Sequence, residues 1–109
     1  MATIEDFETL DIRVGTVVEA ELLEDGKYST HKLKIDFGED LGIKKSCARL
    51  THYTVDDLIG RQVLAVVNFP PRQVGKAMSE VLTLGVPRAD GECALIQPDQ
   101  DVEPGVRLF

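Results

Sequence analysis

The stretch KLKIDF, residues 32–37, alternates without a fault: Leu33, Ile35 and Phe37 are apolar, while Lys32, Lys34 and Asp36 are charged. Successive side chains of an extended strand point to opposite faces, so this run predicts a strand with one face in a core and a basic face in solvent. Residues 12–22 show the same period, with Ile12, Val14, Thr16, Val18, Ala20 and Leu22 on one face and Arg13, Gly15, Val17, Glu19 and Glu21 on the other. Gly15 within that run predicts a bulge or a sharp bend. In RQVLAVVNF, residues 61–69, Val63, Ala65 and Val67 lie on one face and Leu64 and Val66 on the other, so both faces must be covered.

The remaining segments are shorter. IKKSCARL reads as a third strand, and MSEVLTLGV and ECALIQ as two more beyond RQVLAVVNF. TVDDLIG opens on Thr54, carries acids in its first turn and ends in Gly60, which predicts a helical turn or two. Thr3 with Asp6 three residues later predicts a capped helical start, EDGKYST and GEDLG read as turns, and VEPGVRLF as a Pro-Gly turn with a short last strand. Short strands with glycine at bends favour a small barrel over a sandwich. Five strands with a short helix between the third and fourth predict an all-β OB-fold barrel. With 109 residues the chain makes one domain, in which residues 1–10 and 98–109 are N- and C-terminal extensions.

The net charge is −7, unevenly placed: residues 1–26 carry −7, residues 27–88 carry +4 and residues 89–109 carry −4. An acidic total argues against a generic nucleic-acid protein, yet the basic centre permits one electropositive face. Cys47 and Cys93 form no C-x-x-C pair, and His31 and His52 stand at no metal-site spacing from them, so free thiols and no metal or other cofactor are expected. No phosphate-binding loop, nucleophile elbow or histidine–carboxylate constellation is present, and the chain is read as a non-enzyme. No run approaches the ~20 apolar residues of a membrane span. MATIEDFETL lacks the basic start of a signal peptide, which predicts a cytoplasmic protein without membrane insertion.

The basic residues of the centre are the candidate ligand contacts. Pro70 and Pro71 end the fourth strand, because proline donates nothing to a ladder, and a stiff loop presenting Arg72, Gln73 and Lys76 follows. In an OB-fold this loop and the one between strands one and two border the ligand face. Lys32 and Lys34 fall on the outward face of strand two, and Lys44, Lys45 and Arg49 on strand three beside it. Alternation sends Lys44 and Lys45 to opposite sides. Each of these bases also has a plain reading, solvation or cross-strand pairing with Asp36 or Glu21. Tyr28, Tyr53 and Phe69 are the aromatic candidates for base stacking, with Tyr28 in the first loop preferred and Phe69, between Asn68 and Pro70, assigned rather to core or interface.

LDIRVGTV, KLKIDFGE, LIGRQVLAVVNFPPR, SEVLTLG and LIQPDQ together resemble the CsaA family of small tRNA-binding-domain proteins. Wider relatives are the tRNA-binding domains appended to some aminoacyl-tRNA synthetases and the endothelial monocyte-activating polypeptide II module. The departures YSTHKL and Ser79-Glu80-Val81-Leu82 favour CsaA over a synthetase appendix. The resemblance implies a cytoplasmic OB-fold homodimer that binds tRNA by its structure, together with an export-related chaperone role toward unfolded polypeptides. It also raises Asn68, Ser79 and Glu80 from turn and cap chemistry to RNA contacts, with Glu80 orienting Arg72 or accepting from a base edge. The alternative is a peptide-binding export chaperone whose RNA binding is incidental. The apolar residues Ile4, Phe7, Leu10, Val106, Leu108 and Phe109 are expected to fold the termini back over the barrel, cover the outer face of strand four and form a two-fold interface with a second chain. The acidic arms are expected to lie away from the RNA face.

Overall fold

The computed structural model describes residues 1–24 and 28–109. In chain order the elements are α1 (Ile4–Thr9), β1 (Ile12–Leu22), β2 (His31–Asp36), α2 (Gly38–Leu41), β3 (Ile43–Ala48), α3 (Val55–Leu58), β4 (Gln62–Val66), β5 (Arg72–Val74), β6 (Ala77–Ser79), β7 (Leu82–Thr83), β8 (Gly85–Pro87) and β9 (Cys93–Leu95). Five strands form one antiparallel sheet in the order β3-β2-β1-β4-β7. β1 is long enough to pair with β4 through Ile12–Thr16 and with β2 through Thr16–Leu22. The sheet then curls until β3 meets the β6–β7 segment. Side chains do much of the closing of that last seam: Ser79 Oγ accepts from Cys47 N at 3.0 Å and Ser46 Oγ donates to the Val81 carbonyl at 3.3 Å. The result is an all-β, nearly closed OB-fold barrel, and α3, capped by Thr54 and Asp57, lies between the third and fourth strands as expected.

The alternation in KLKIDF is realised directly. Leu33, Ile35 and Phe37 are buried inside the barrel with Val17, Leu50, Leu58, Val63, Ala65 and Val81. In β1 the expected faces hold as far as Val17, which is buried on the same side as Gly15, with Val18 exposed on the other; a bulge between Val17 and Glu19 then shifts the register, so that Glu19 stands beside Lys34 and Ala20 turns onto the core. Gly15 is not the bulge. It faces the barrel interior, where a Cβ would press on Ile35 and stand 2.7 Å from Phe37 Cε1, and only glycine lets the strands approach so closely.

Both faces of β4 are covered, but not by the termini. Leu64 and Val66 pack outside the barrel with Ile12 and Val14, and Leu84 and Ile96 lie against them. The C-terminal segment instead extends the free edge of β1. Val14 N donates to the Val106 carbonyl at 3.0 Å, Gly105 N to the Val14 carbonyl at 2.7 Å, and Leu108 N to the Ile12 carbonyl at 2.8 Å. Gly105 has φ 97° and lies against the Phe37 carbonyl, so the tail can dock only with glycine there. α1 begins on the predicted Thr3–Asp6 capping box. Its end is clasped by Arg107, which donates to the Glu8 and Leu10 carbonyls at 2.8 and 3.2 Å. Ile4, Phe7, Leu10, Val106, Leu108 and Phe109 remain exposed on the single chain. GEDLG, expected as a turn, closes into the helical turn α2. Among the described residues no helix is long and apolar enough to cross a membrane.

His31 is buried at the start of β2. Thr30 Oγ1 accepts from Leu50 N at 2.8 Å and lies within hydrogen-bond distance of His31 Nδ1 at 2.7 Å. Nε2 reaches no acceptor in good hydrogen-bonding geometry. Burial pushes the imidazole below its ordinary range, and the Tyr53 backbone offsets this only in part. A group whose pKa is depressed by folding stabilises the native state above its unfolded pKa and loses that contribution as pH falls. The unfolding free energy from urea denaturation should therefore drop between pH 7 and 5, by at most about 1.4 kcal/mol per pH unit for one proton. In His31→Phe that decline should be flattened, whereas an unchanged pH profile would assign it to other groups.

Candidate nucleic-acid interface

The loop expected after β4 is itself ordered as a ribbon. β5 and β6 pair with the register Arg72↔Ser79, Gln73↔Met78 and Val74↔Ala77, turning at Gly75, φ 60°. Gln73 Nε2 donates to the Gly75 carbonyl at 3.0 Å, so this side chain caps its own turn. Lys76 is exposed at the tip. Glu80 breaks the long strand expected over MSEVLTLGV by bonding β3 twice: its N–H donates to the Lys45 carbonyl at 2.7 Å, and its Oε1 accepts from Lys45 N at 3.0 Å.

The outward face of β2 and β3 carries a ladder of charges. Registers of β1 with β2 and of β2 with β3 align Glu19, Lys34 and Lys45 in one row and Glu21, Lys32 and Cys47 in the next. Lys32 pairs with Glu21 at 2.8 Å and Lys34 with Glu19 at 3.2 Å. Arg49 pairs with Glu92 at 3.1 Å. Glu19, Glu21 and Glu92 thus belong to the basic face itself, and the expectation that the acidic arms avoid that face fails for them, because β1 is the neighbour of β2. Lys45, Lys44 and Arg72 make no ion pair among the described residues. Lys44 stands opposite Ile35, on the other side of the sheet from Lys45, as alternation requires. Burial pushes the Cys47 thiol up, and Lys32, Arg72 and Lys45 pull against it, which marks where these cations converge.

Beside that point runs a groove of about 260 Å³, with Tyr28, Arg49 and Arg72 on its rim and Cys47, Leu82 and Cys93 among its floor residues. A second cavity of about 220 Å³ adjoins it and shares Arg72 and Leu82, with Phe69, Pro70 and Glu80 on its walls. The loop between β1 and β2 borders the groove through Tyr28 and Ser29, while Lys27 lies outside the described residues. The two free thiols, far apart in sequence, line one groove.

Two expected contacts are already engaged within the chain. Asn68 accepts from Asp11 N and donates to the Thr9 carbonyl, both at 2.9 Å, so its amide fixes the end of α1. Ser79 is buried, and its hydroxyl is engaged by Cys47 N and the Val81 carbonyl. Tyr53 is also engaged: its hydroxyl accepts from Leu95 N at 3.0 Å and Arg61 lies 5.2 Å from its ring centroid. Tyr28 and Phe69 keep exposed rings. Of the counter-acids, Glu21 is the cross-strand partner expected and is found on Lys32, whereas Glu19 was missed, although its spacing of two from Glu21, matching that of Lys32 and Lys34, was a usable signal.

A nearly closed OB-fold barrel of this topology defines a class. A model of the family described as "Putative tRNA binding domain" matches residues 12–107, and the chain belongs to that tRNA-binding-domain family. A methionine–tRNA ligase of Porphyromonas gingivalis is 38% identical over 105 residues, which cover 95% of this chain and 15% of the ligase. The chain thus spans about one seventh of the length of such relatives. Two solved structures match throughout, and they place the chain with the CsaA proteins. The CsaA chaperone protein from Picrophilus torridus superposes with a TM-score of 0.93 at 43% identity, covering 100% of both chains. Chaperone CsaA from Bacillus anthracis gives 0.91 at 48% identity, covering 100% of this chain and 99% of the other.

Proposed function

We infer that this protein is a cytoplasmic, non-catalytic module that binds tRNA across the groove between the β1–β2 loop and the β5–β6 ribbon. The observation that carries the reading is the convergence of Arg72, Lys45 and Lys32 beside a groove rimmed by an exposed Tyr28, in a member of the tRNA-binding-domain family. Arg72 and Lys45, which make no ion pair among the described residues, take phosphates first, whereas Lys44, on the other side of the sheet, lies outside that path. Lys32, Lys34 and Arg49 exchange their carboxylate partners for phosphate, and Lys76 reaches the backbone from the ribbon tip. Glu80 and Ser79 hold the Lys45 backbone and the seam in place.

The test is a salt series. Each neutralised phosphate contributes a slope of roughly −0.7 to −0.9 in log K against log salt. Replacing Arg72 and Lys45 by Ala should weaken tRNA binding and flatten that slope by about one to two units. An unchanged slope, with the fold intact by circular dichroism, would remove these residues from the phosphate path.

A second reading has its own support. The groove floor is largely apolar, and the two full-length relatives are named as chaperones, so an unfolded polypeptide is the alternative ligand, with export machinery as a downstream partner. Apolar peptide binding should be nearly indifferent to salt and carry a negative heat-capacity change. The exposed terminal apolar residues support a homodimer in either case.

A further inference from the structure

We propose that the cavity between Phe69 and Leu82 is a slot for one unpaired guanine of the bound RNA, read by Glu80 and Arg72. The proposal rests on the tRNA-binding reading and adds a base preference to it.

The cavity holds about 220 Å³, enough for a single purine ring system and too little for a folded segment. Phe69, Pro70, Val81 and Leu82 give it flat apolar walls, and Phe69 keeps an exposed ring on which a base can stack. Its polar groups are one carboxylate and one guanidinium together with the Ser79 hydroxyl, which is already engaged twice within the chain. Glu80 is held rigidly, since both its backbone N–H and its Oε1 are bonded to Lys45. Its Oε2 makes no hydrogen bond among the described residues, and a carboxylate oxygen that accepts once can accept again. Arg72 makes no ion pair among the described residues and lines the same cavity.

Guanine is the base that matches this pair. Its Watson–Crick edge offers two adjacent donors, N1–H and the N2 amino group, which suit a carboxylate. Its other edge offers two acceptors, O6 and N7, which suit a guanidinium. Adenine sets its N1 lone pair against a carboxylate, cytosine sets N3 there, and uracil flanks its one donor with two carbonyls. A carboxylate therefore penalises all three, while Arg72 rewards guanine on the opposite edge.

The experiment uses the full chain and unstructured RNA hexamers of uridine carrying one central G, A or C, with all-uridine as reference, read by fluorescence anisotropy. A bidentate base contact discriminates by roughly tenfold. The G hexamer should bind about ten times tighter than the A or C hexamer. In Glu80→Gln the carbonyl can still accept from Lys45 N, but the amide now opposes the guanine donors. The ratio of G to A affinities within that variant should fall below about twofold. Equal affinities in the native chain, or a preference retained in Glu80→Gln, would overturn the slot. If bulk tRNA binds with a salt-dependent affinity and the hexamers show no base preference, the slot fails alone and tRNA binding stands. If neither tRNA nor any hexamer binds, both fall. If an unfolded polypeptide displaces the G hexamer stoichiometrically and no base preference is seen, the cavity is a peptide site and the proposal is wrong.

Discussion

Phe37→Ala is expected to lower stability by about 3–5 kcal/mol, a large share of the roughly 5–15 kcal/mol that holds a domain of this size. Phe37 is 1% exposed and packs at the barrel bottom against Ile35, beneath the backbone of Gly15. Its carbonyl also meets Gly105, where the C-terminal segment docks. The same geometry makes a coupling prediction. Gly15→Ala in the native chain inserts a methyl against Phe37 and Ile35 and should cost about 1–3 kcal/mol by overpacking. In the Phe37→Ala background the clash with the ring is gone and the gap left by it gives Ile35 room to shift, so the double variant should be destabilised by less than the sum of the two. Urea denaturation of the four proteins measures the cycle. Additivity within about 0.5 kcal/mol would mean that the two positions do not share the space described.

The second large effect concerns association. Six apolar residues of the two termini stay exposed on one chain, and Phe109 is fully open. The backbone beneath them is nevertheless well fixed, by Leu108 N on the Ile12 carbonyl and by Arg107 on the end of α1. An ordered apolar surface of this kind suits a self-complementary two-fold contact. Ile4→Ser with Phe109→Ser removes two apolar side chains per chain and four per dimer while keeping those backbone bonds, which a truncation at residue 106 would also destroy. Full burial of each such side chain stabilises by about 1.5–3 kcal/mol. Even half of that raises the dissociation constant more than about a hundredfold. Sedimentation equilibrium should find the native chain dimeric at micromolar concentration and the double variant largely monomeric. A monomeric native chain contradicts the dimer, and an equally dimeric variant moves the interface elsewhere.

What the sequence revealed and what it hid follow from the range of the interactions. Leu33, Ile35 and Phe37 were legible because a strand period is local, and α3 because Thr54 and Asp57 make their capping bonds within four residues. The bulge at Val17–Glu19 was not legible, since a one-residue slip leaves the composition of the run unchanged and is set by pairing with β2. The break of the fifth strand at Ser79 and Glu80 was hidden for the same reason. Both side chains substitute for ladder bonds to β3, more than thirty residues away. The candidate contacts were visible as Lys32, Lys34, Lys45 and Arg72. Their counter-acids were only half visible, because opposing Glu19 to Lys34 requires the register and not just the alternation. Asn68 looked like a ligand contact beside the Pro-Pro break, and only the path of α1 shows the backbone that it binds.

The central claim is that the groove beside Arg72 and Lys45 receives a polyanion. Its most direct test is a titration of the native full chain with bulk tRNA and, separately, with an unfolded polypeptide, each at low and at high salt. Three or four neutralised phosphates predict that tRNA affinity falls roughly 20- to 100-fold between about 50 and 200 mM salt, while polypeptide affinity changes little. Tight polypeptide binding at both salts together with no measurable tRNA binding at the lower one would contradict the account.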